Sequence, residues 1–451
     1  TLENKTIAGR SIKFISGNVI FTKGDLILNC EEGRHYEKND LAVLYKNVSA
    51  IQEQRTLTCD TIKFFSKEDR LLSIGSSHVW DSDYDLKADS ITVFTEQDSG
   101  VALGNVILNQ KGQIIKANRI EYQKDKEQDG VSYTAIGDVI IEDSSRIATC
   151  GKAKYDRKNE VTTLEIEPKI TENERILSGE KIILQYKEEE LENLHIPKKA
   201  FAITPIEGYQ RSQSDSMKIG DTLRYTDRME GSQLTSYFEN GSLDSLRIVG
   251  MAKTLYHVFE DSIYQGKNNA SGDTIIMMFL ENELNTLKII GGSEGKYIPD
   301  SVANDVDHPV IYSANFIKYR LKDDESDFEG KVKIKHDRTD LDAGFVSVNW
   351  QNNLLNALPR TASDTISEPL FPVIKEDGRD PMTGDAMIYN LKTRKGKITK
   401  GQTKADDGYY TGKKIRNESE KVFFIENSTY TTCDLDTAHF HFESNKMKII
   451  Q

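Results

Sequence analysis

Cysteine is scarce in this sequence: the 451 residues include only four, Cys30, Cys59, Cys150 and Cys433. No two of them form a C-x-x-C pair, which excludes the usual zinc-binding and dithiol redox motifs. Four scattered cysteines are also too few for a disulfide scaffold in a chain of this length. The cysteine count by itself leaves the cellular compartment open.

Long hydrophobic runs and excess positive charge are absent as well. The longest apolar run, 275–280, is far below the roughly 18–20 residues that a membrane-spanning helix needs, so we expect a soluble chain. The 59 basic and 72 acidic residues give a net charge of −13, which disfavours nucleic acids and anionic membrane surfaces as partners. There is no nucleophile elbow and no phosphate-binding Gly-rich loop. Because Thr1 is not preceded by Met or a signal peptide, we expect a mature or trimmed form.

Helical periodicity is also poor. The best helix candidate, 187–195, is a charged run with too few apolar positions to bury a face, and a turn between strands explains it as well. Four of the nine prolines, Pro359, Pro369, Pro372 and Pro381, lie in one short stretch. Such a stretch cannot serve as a central strand, so a loop is predicted over 356–382.

What the sequence does contain is a repeat. A six-residue pattern starts with a small residue and ends with an apolar or aromatic one, and its first copies begin at positions 59, 88, 117, 150 and 179. A second, strand-like motif lies between these copies and is centred on Val19, Val48, Val79, Val106, Val139 and Ile170. The second motif has a leading glycine in three copies, Gly17, Gly104 and Gly137. Short runs of alternating residues separated by polar turns predict that nearly the whole chain is β-strand.

The regularity of the repeat predicts the domain organisation. Regular repeats are expected over 1–205 and a continuation with longer loops over 206–355. The Pro-rich loop would follow over 356–382, and a last repeat segment over 383–451. Residues two apart share a strand face, so Ile120 and Tyr122 should point one way and Arg119 and Glu121 the other.

Stacked repeats of this kind would form an elongated, folded-over sheet whose apolar faces meet. An apolar slot left between these faces would suit an acyl chain better than a sugar. Periodicity alone favours a filled core over an open slot, because most inward apolar rows are simply packing.

The alternation of the Gly-Asn-Val strand with Ala-Asp-x-Ile-x-Tyr resembles a known family, the organic-solvent-tolerance (OstA) domains of lipopolysaccharide transport. These domains occur in LptA, LptC and the periplasmic part of LptD. Residues 384–393, 408–410 and 430–434 resemble the end of the LptD periplasmic domain, just before its outer-membrane barrel. The resemblance therefore favours LptD over the smaller bridge proteins.

The resemblance implies an all-β fold, an elongated repeat-built β-jellyroll open along one edge. It also implies a periplasmic protein, attached to the outer membrane in its full-length form. This protein would receive lipopolysaccharide (LPS) from an LptA-like bridge protein and pass it to an outer-membrane β-barrel that follows Gln451 or belongs to a partner. No enzyme activity, cofactor or metal is implied. Nine residues are expected to line the lipid slot: Phe21, Phe64, Ile91, Tyr122, Tyr155, Leu184, Tyr225, Met277 and Tyr319.

The first strands should form an open sheet edge that accepts the bridge protein, because residues 11–21 contain no proline and a single charge. The docking residues would be Ile12, Phe14, Ile15, Val19 and Phe21. The alternative is an ordinary first strand covered by residues 1–10.

In the resembling family the cysteine of Thr-Thr-Cys pairs with the barrel, so Cys433 should be a free thiol here, with Cys30 as the only internal partner considered. Cys59 and Cys150 occupy the small-residue position of the repeat and should be buried and unpaired. His439 and His441 near Cys433 suggest a metal site, but a surface strand explains them better.

Two other functions fit a repeat of short strands. A parallel β-helix that binds polysaccharide is one, although its coils are usually shorter. A surface adhesin or stalk is the other. Co-purified acylated glycolipid would support transport, whereas saccharide binding without lipid would support the β-helix.

Overall fold

The computed structural model describes residues 2–7, 10–82, 84–94, 96–110, 112–124, 131–172, 174–188, 190–211, 219–281, 283–301, 306–360, 369–405, 408–419, 422–435 and 437–450. The chain divides into two compact units, residues 1–199 and 200–451. Strands dominate both units, and no α-helix occurs in the described part of the chain. The prediction of an all-β, repeat-built fold is therefore confirmed. No helix in the described ranges is long and apolar enough to cross a membrane.

Unit 1 is a meander in which each strand from β1 to β10 pairs antiparallel with the next one. Beyond β11 the sheet splits, because β11 pairs with both β12 and β13. Single 3₁₀ turns, Glu37–Asn39 and Ser66–Glu68, follow β3 and β5. The strands are β1 Leu2–Ile7, β2 Arg10–Lys23, β3 Leu26–Tyr36, β4 Leu41–Gln52, β5 Arg55–Phe65, β6 Arg70–Trp80, β7 Tyr84–Phe94, β8 Ser99–Gln110, β9 Gln113–Lys124, β10 Val131–Glu142, β11 Arg146–Asp156, β12 Val161–Glu165, β13 Lys169–Glu172, β14 Arg175–Ser178, β15 Lys181–Lys187 and β16 Glu190–Ile196.

Unit 2 repeats this meander from β20 to β25 and again from β30 to β33. Its strands are β17 Ala200–Arg211, β18 Ile219–Gly231, β19 Gln233–Glu239, β20 Ser242–Glu260, β21 Ile263–Leu280, β22 Glu283–Pro299, β23 Val310–Arg320, β24 Glu325–His336, β25 Thr339–Asn349, β26 Leu354–Leu358, β27 Val373–Glu376, β28 Met382–Thr383, β29 Ala386–Asn390, β30 Gly396–Ala405, β31 Gly408–Ser419, β32 Val422–Thr431 and β33 Phe442–Ile450.

The loop predicted over 356–382 is interrupted by a strand, and this part of the prediction is wrong. β27 lies between Pro372 and Pro381 and pairs with β25 and β28. The four residues of β27 contain no proline, so their N–H groups remain available for pairing. The part 361–368 of the predicted loop lies outside the described residues.

A β-bulge interrupts the long strands near their middle, and the glycine motif of the sequence marks it. Gly104 and Asn105 both have positive φ, +76° and +46°, and the pairing of β8 with β9 shifts between Leu103 and Val106. Two residues of β8 therefore oppose one of β9, which bends the strand. Directly after the bulge, Val106 pairs with Ala117, the small residue of the six-residue pattern. The two sequence motifs are thus the two sides of one bulge.

The bend folds the sheet so that the two halves of each strand face one another. In unit 2, Phe328 pairs with Ile317, five residues along β23 from Tyr312. A flat sheet would keep Tyr312 and Phe328 about 17 Å apart along the strand. Their ring centroids are only 5.4 Å apart. The inner faces of the two strand halves are therefore in contact, which is the folded, jellyroll-type sheet that was predicted.

Candidate functional site

Three rows of side chains run across the strands on the inner face of unit 1. The first row lies on one side of the line of bulges and the other two rows lie on the other side. The first row is Phe21, Leu28, Ala50, Leu57, Val79, Leu86, Leu108, Ile115, Ile141, Ala148, Ile170 and Leu177. The middle row is Leu44, Ile62, Ser73, Ile91, Ala102, Ile120, Ala135, Ala153, Leu164 and Ile182. The third row is Ala42, Phe64, Leu71, Val93, Gly100, Tyr122, Tyr133, Tyr155, Thr162, Leu184 and Leu194.

The structure brings most of the predicted slot residues of unit 1 together. Phe64, Tyr122, Tyr155 and Leu184 all belong to the third row, and Ile91 belongs to the middle row, where it is buried. Phe21 begins the first row but is 38% exposed, which contradicts its expected burial. The reason is that the first row ends at Phe21, since the described part of β1 pairs only with Arg10 to Ile15 of β2.

The first row was largely missed by sequence reasoning, which placed only Phe21 in it. A signal for this row exists in the sequence. Leu108 and Ile141 each follow the valine of the glycine motif by two residues, as Phe21 does. In a strand this spacing keeps a side chain on the same face, so the row could have been read from the motif.

Tyrosines place hydroxyl groups in the otherwise mostly apolar third row. The ring of Tyr122 covers Gly100 on the neighbouring strand so closely that a Cβ atom at Gly100 would lie 2.4 Å from the ring. The rings of Tyr133 and Tyr155 lie 5.3 Å apart. Burial raises the pKa of Tyr122 and of Tyr133, so both hydroxyls remain neutral and can donate hydrogen bonds.

The space between the two halves of unit 1 is nearly filled by these side chains. A cavity of about 30 Å³ separates Ile141 and Ile170 of the first row from Tyr133 and Leu184 of the third row. This volume is about that of one water molecule. The polar side chains of Asp143 and Arg146 also line this cavity. Any long ligand between the rows must therefore displace the rows from one another.

Unit 2 contains a corresponding inner row: Leu246, Met277, Leu287, Tyr319, Ser326, Val348, Leu355 and Tyr389. Two predicted slot residues, Met277 and Tyr319, belong to it. Met277 is buried, and burial raises the pKa of Tyr319 well above its usual range. Met277 and Tyr319 thus share one row in unit 2, whereas the six predicted residues of unit 1 are distributed over three rows, with four of them in the third.

Tyr225 does not belong to this row. Its ring stacks on His257 and Tyr264, with centroid distances of 4.4 and 4.7 Å. The His257 ring is buried and its Nδ1 lies 2.8 Å from the carboxylate of Asp227. Burial raises the pKa of Asp227, and the hydrogen bonds from His257 oppose this shift. Tyr225 therefore belongs to a compact aromatic cluster instead of the row that holds Met277 and Tyr319.

The expected docking edge is partly covered. β1 pairs with β2 from Arg10 to Ile15, so Ile12, Phe14 and Ile15 do not form an open edge, and this part of the prediction is wrong. The physical reason is the alternative considered above, coverage by the residues that precede the strand. Beyond Ile15, no described strand pairs with this side of β2. Val19 is buried and Phe21 is exposed within that uncovered half.

All four cysteines are free thiols in the structure. Burial raises the pKa of both Cys59 and Cys150 to about 11. His439 and His441 lie in the loop before β33 instead of on a surface strand. Cys433 Sγ is 3.7 Å from Nδ1 of His439, but the described residues contain no group of three or more metal-ligating side chains.

Comparison with known proteins finds a match for the segment of unit 1 that contributes many of the residues in these rows. Residues 85–190, from β7 to β15, match the family model described as LptA/(LptD N-terminal domain) LPS transport protein. A solved structure with similarity to the chain is LptH from Pseudomonas aeruginosa, described as the LptA homologous periplasmic component of the conserved lipopolysaccharide transport device. That similarity covers 24% of this chain and 79% of LptH, with 20% identity and a TM-score of 0.22. No curated protein matches the chain.

Proposed function

We propose that this chain transports LPS in the periplasm and shields its acyl chains between the first and third rows. Residues 85–190 match the family model of the LptA/LptD N-terminal domain, which supports this proposal. The observation that carries the proposal is the continuity of these rows. From β4 to β14 neither row contains a charged residue, and the third row meets His35 and Lys13 only at β3 and β2. Acyl chains favour such a surface, since each buried methylene contributes about 0.8 kcal/mol.

Lipid entry would require the two halves of the folded sheet to separate. The cavity of about 30 Å³ between Ile141 and Leu184 is too small for an acyl chain. The middle row is the most deeply buried of the three, with Ile62, Ala102 and Ala135 fully inaccessible, and it lies next to the bulges. Opening would therefore part the first and third rows while the middle row stays packed. Packing against the acyl chains would replace the packing of the two rows on each other, so the cost of opening is offset only when lipid is present.

The partners follow from the same proposal. An LptA-like periplasmic bridge protein would deliver the lipid at the uncovered half of β2, residues 17–23, by adding a strand to that edge. An outer-membrane barrel, in the same full-length protein or in a partner, would receive it. The chain would act as a conduit and not as an enzyme.

Site-specific photo-crosslinking tests the proposed slot. A photoreactive amino acid at Tyr122 should capture LPS, because this side chain belongs to the third row. The matched control is the same amino acid at Glu121, the preceding residue on the opposite strand face, which should capture none. Equal labelling at both positions would refute the slot assignment. Capture of LPS-derived saccharide without acyl chains would instead support a polysaccharide-binding protein.

A further inference from the structure

The outer face of unit 2 bends into a groove that the proposed slot does not use. The groove has a volume of about 930 Å³ and crosses β18, β20 to β25 and β27. It lies on the face opposite the inner rows: Tyr312 and Ile334 are buried, whereas Ile311 and Lys333, one residue away, are exposed. This groove is therefore a second surface of the folded sheet, with its own chemistry.

Basic side chains recur along the groove on every second strand. Lys253 is on β20, Lys296 on β22, Lys333 and Lys335 on β24, and Lys375 on β27, which follows β25 in the sheet. Neighbouring strands lie about 4.8 Å apart, so successive cations are about 10 Å from one another. With Arg228 on β18, six basic side chains line the groove against four acidic ones. The groove thus carries excess positive charge in a chain whose net charge is −13.

Three of these cations are unpaired among the described residues. Arg228 pairs with Glu230 at 3.1 Å, Lys335 with Asp340 at 3.3 Å and Lys375 with Asp342 at 3.5 Å. Lys253, Lys296 and Lys333 have no ion pair in the described part of the structure. Each is exposed into the groove. Unpaired ammonium groups at regular spacing are suited to separate anionic groups on one ligand.

The side chains between the cations are suited to sugar hydroxyls. The strands between the cationic ones contribute Asn269, Ser271 and Ser313, which can both donate and accept hydrogen bonds. The carboxylate of Glu294 accepts a hydrogen bond from Ser271 at 3.3 Å and has further acceptor capacity. Ile311, which is 47% exposed, offers an apolar patch. Carboxylates at these positions would repel a continuous phosphate backbone, which argues against nucleic acid.

We propose that this groove binds a saccharide carrying discrete phosphate groups, of the kind that forms the headgroup of LPS. The inference rests on the proposed transport function, which supplies such a headgroup. The corresponding groove of unit 1 lacks this character. It has a volume of about 520 Å³ and is lined by Glu121, Asp156 and a single lysine, Lys154. Headgroup recognition would therefore be a property of unit 2.

The test uses the full chain and the water-soluble saccharide of LPS after removal of its acyl chains. Calorimetric titration compares the native chain with Lys253→Gln/Lys296→Gln/Lys333→Gln. The matched control is Lys288→Gln/Lys318→Gln/Lys331→Gln, which removes the same charge from β22, β23 and β24 outside the groove. We expect the groove variant to lose at least about tenfold in affinity, because charge-assisted hydrogen bonds are removed. The control should bind like the native chain.

Three results would overturn the proposal. The first is equal weakening by both triple variants, which would indicate nonspecific attraction. The second is equally tight binding of the same saccharide after enzymatic removal of its phosphates. The third is displacement of the saccharide by millimolar inorganic phosphate or by an acidic peptide, which would indicate a general anion site.

Capture of intact LPS at Tyr122 is measured in parallel. If capture occurs in the native chain and the groove variant alike but saccharide affinity is independent of the lysines, the groove inference fails and the transport proposal stands. If the native chain captures no lipid, the transport proposal fails.

Discussion

The carboxylate of Asp89 lies directly against the α-carbon of Gly104 on the neighbouring strand. A Cβ atom at Gly104 would be 2.2 Å from Oδ2 of Asp89. The same carboxylate accepts a hydrogen bond from the side-chain amide of Asn105 at 3.1 Å. Gly75 with Asp60 and Gly137 with Asn118 repeat this contact. In these three copies the bulge therefore needs a glycine, and the six-residue pattern supplies the polar side chain that packs on it.

Replacement of Gly104 by Ala should destabilise unit 1 by about 2–4 kcal/mol, because it adds both a left-handed non-glycine residue and a clash. Gly112→Ala is the matched control. Gly112 has nearly the same φ, +79°, but no atom lies within 4 Å of the added Cβ, so only the backbone cost of about 1 kcal/mol should appear. Chemical unfolding measures both variants. Asp89→Ala should restore part of the loss in Gly104→Ala, and equal losses in the two glycine variants would contradict the packing contact.

The strands around these contacts could be predicted from the sequence, but the bulge could not. The spacing of small residues at 88 and 117 correctly predicted strands, because alternation is a local property of the chain. The bulge could not be derived from the glycines alone, since its two-against-one register depends on the neighbouring strand. One copy shows the limit: the sequence motif is centred on Val79, but Ser77 is the residue that pairs with Ala88 after the bulge. Val79 instead belongs to the first row.

Part of the slot could be predicted from the sequence, whereas the groove could not. Phe64, Tyr122 and Leu184 could be assigned to one face from periodicity, and the structure places them in one row. Tyr225 obeys the same pattern but stacks on His257, a contact set by strand pairing between distant segments. The groove lysines were not predicted, because Lys253, Lys296 and Lys333 are separated by roughly forty residues in sequence and become neighbours only through the sheet register.

His336 should make the stability of unit 2 depend on pH. Its ring is buried, and neither ring nitrogen has a hydrogen-bond partner within the described structure. Burial, followed by the charge of Arg394, lowers the pKa of His336 below its ordinary value of 6.5. The unfolded chain therefore binds a proton more readily than the folded one below about pH 6.5. The free energy of unfolding should decrease as the pH falls from 6.5 towards the lowered pKa.

The variant His336→Phe should flatten this dependence without loss of stability at neutral pH, since it removes two unpartnered polar atoms. Chemical unfolding at several pH values checks the expectation. His441→Gln, at an exposed histidine, should keep the slope of the native chain. Parallel curves for the native chain and His336→Phe would contradict the assignment.

Cys433 should be the most reactive of the four thiols. Cys30 is buried, and burial raises the pKa of Cys59 and of Cys150, which lowers their thiolate fractions at neutral pH. Iodoacetamide labelling followed by peptide mass mapping should find Cys433 modified first. Denaturant should equalise the four sites. A Cys433–Cys30 disulfide in the native chain would overturn the expectation that the cysteine is kept for a barrel partner.

The uncovered half of β2 should carry the contact with an LptA-like bridge protein. Ile20 lies in this half and is 68% exposed. Ile20→Pro removes one backbone N–H and should weaken bridge binding, because strand addition relies on main-chain hydrogen bonds. Ile20→Thr keeps the N–H group and should bind like the native chain. Bridge affinity is measured by calorimetry after thermal unfolding has confirmed the fold, and unchanged affinity of Ile20→Pro would exclude this edge.

Locking the two sheet halves together should abolish lipid capture. Ile141 of the first row and Leu184 of the third row line the same small cavity. Cysteines at both positions, in a chain whose native cysteines are replaced by alanine, can be joined by oxidation or by a short bismaleimide whose spacer contains a reducible disulfide. Alanine occupies the position equivalent to Cys59 and Cys150 at Ala88 and Ala117, so this background should fold. Capture at Tyr122 should disappear in the oxidised form and return on reduction.

The control for this lock joins two residues of one row. Ile115 and Ile141 are register partners on β9 and β10, so a disulfide between Ile115→Cys and Ile141→Cys links strands without connecting the two halves. The oxidised control should capture LPS as its reduced form does. Only the lock between the first and third rows prevents the separation that acyl chains require. If the oxidised lock captures as much lipid as the reduced one, the acyl chains do not lie between the halves, and the slot must be sought elsewhere on the chain.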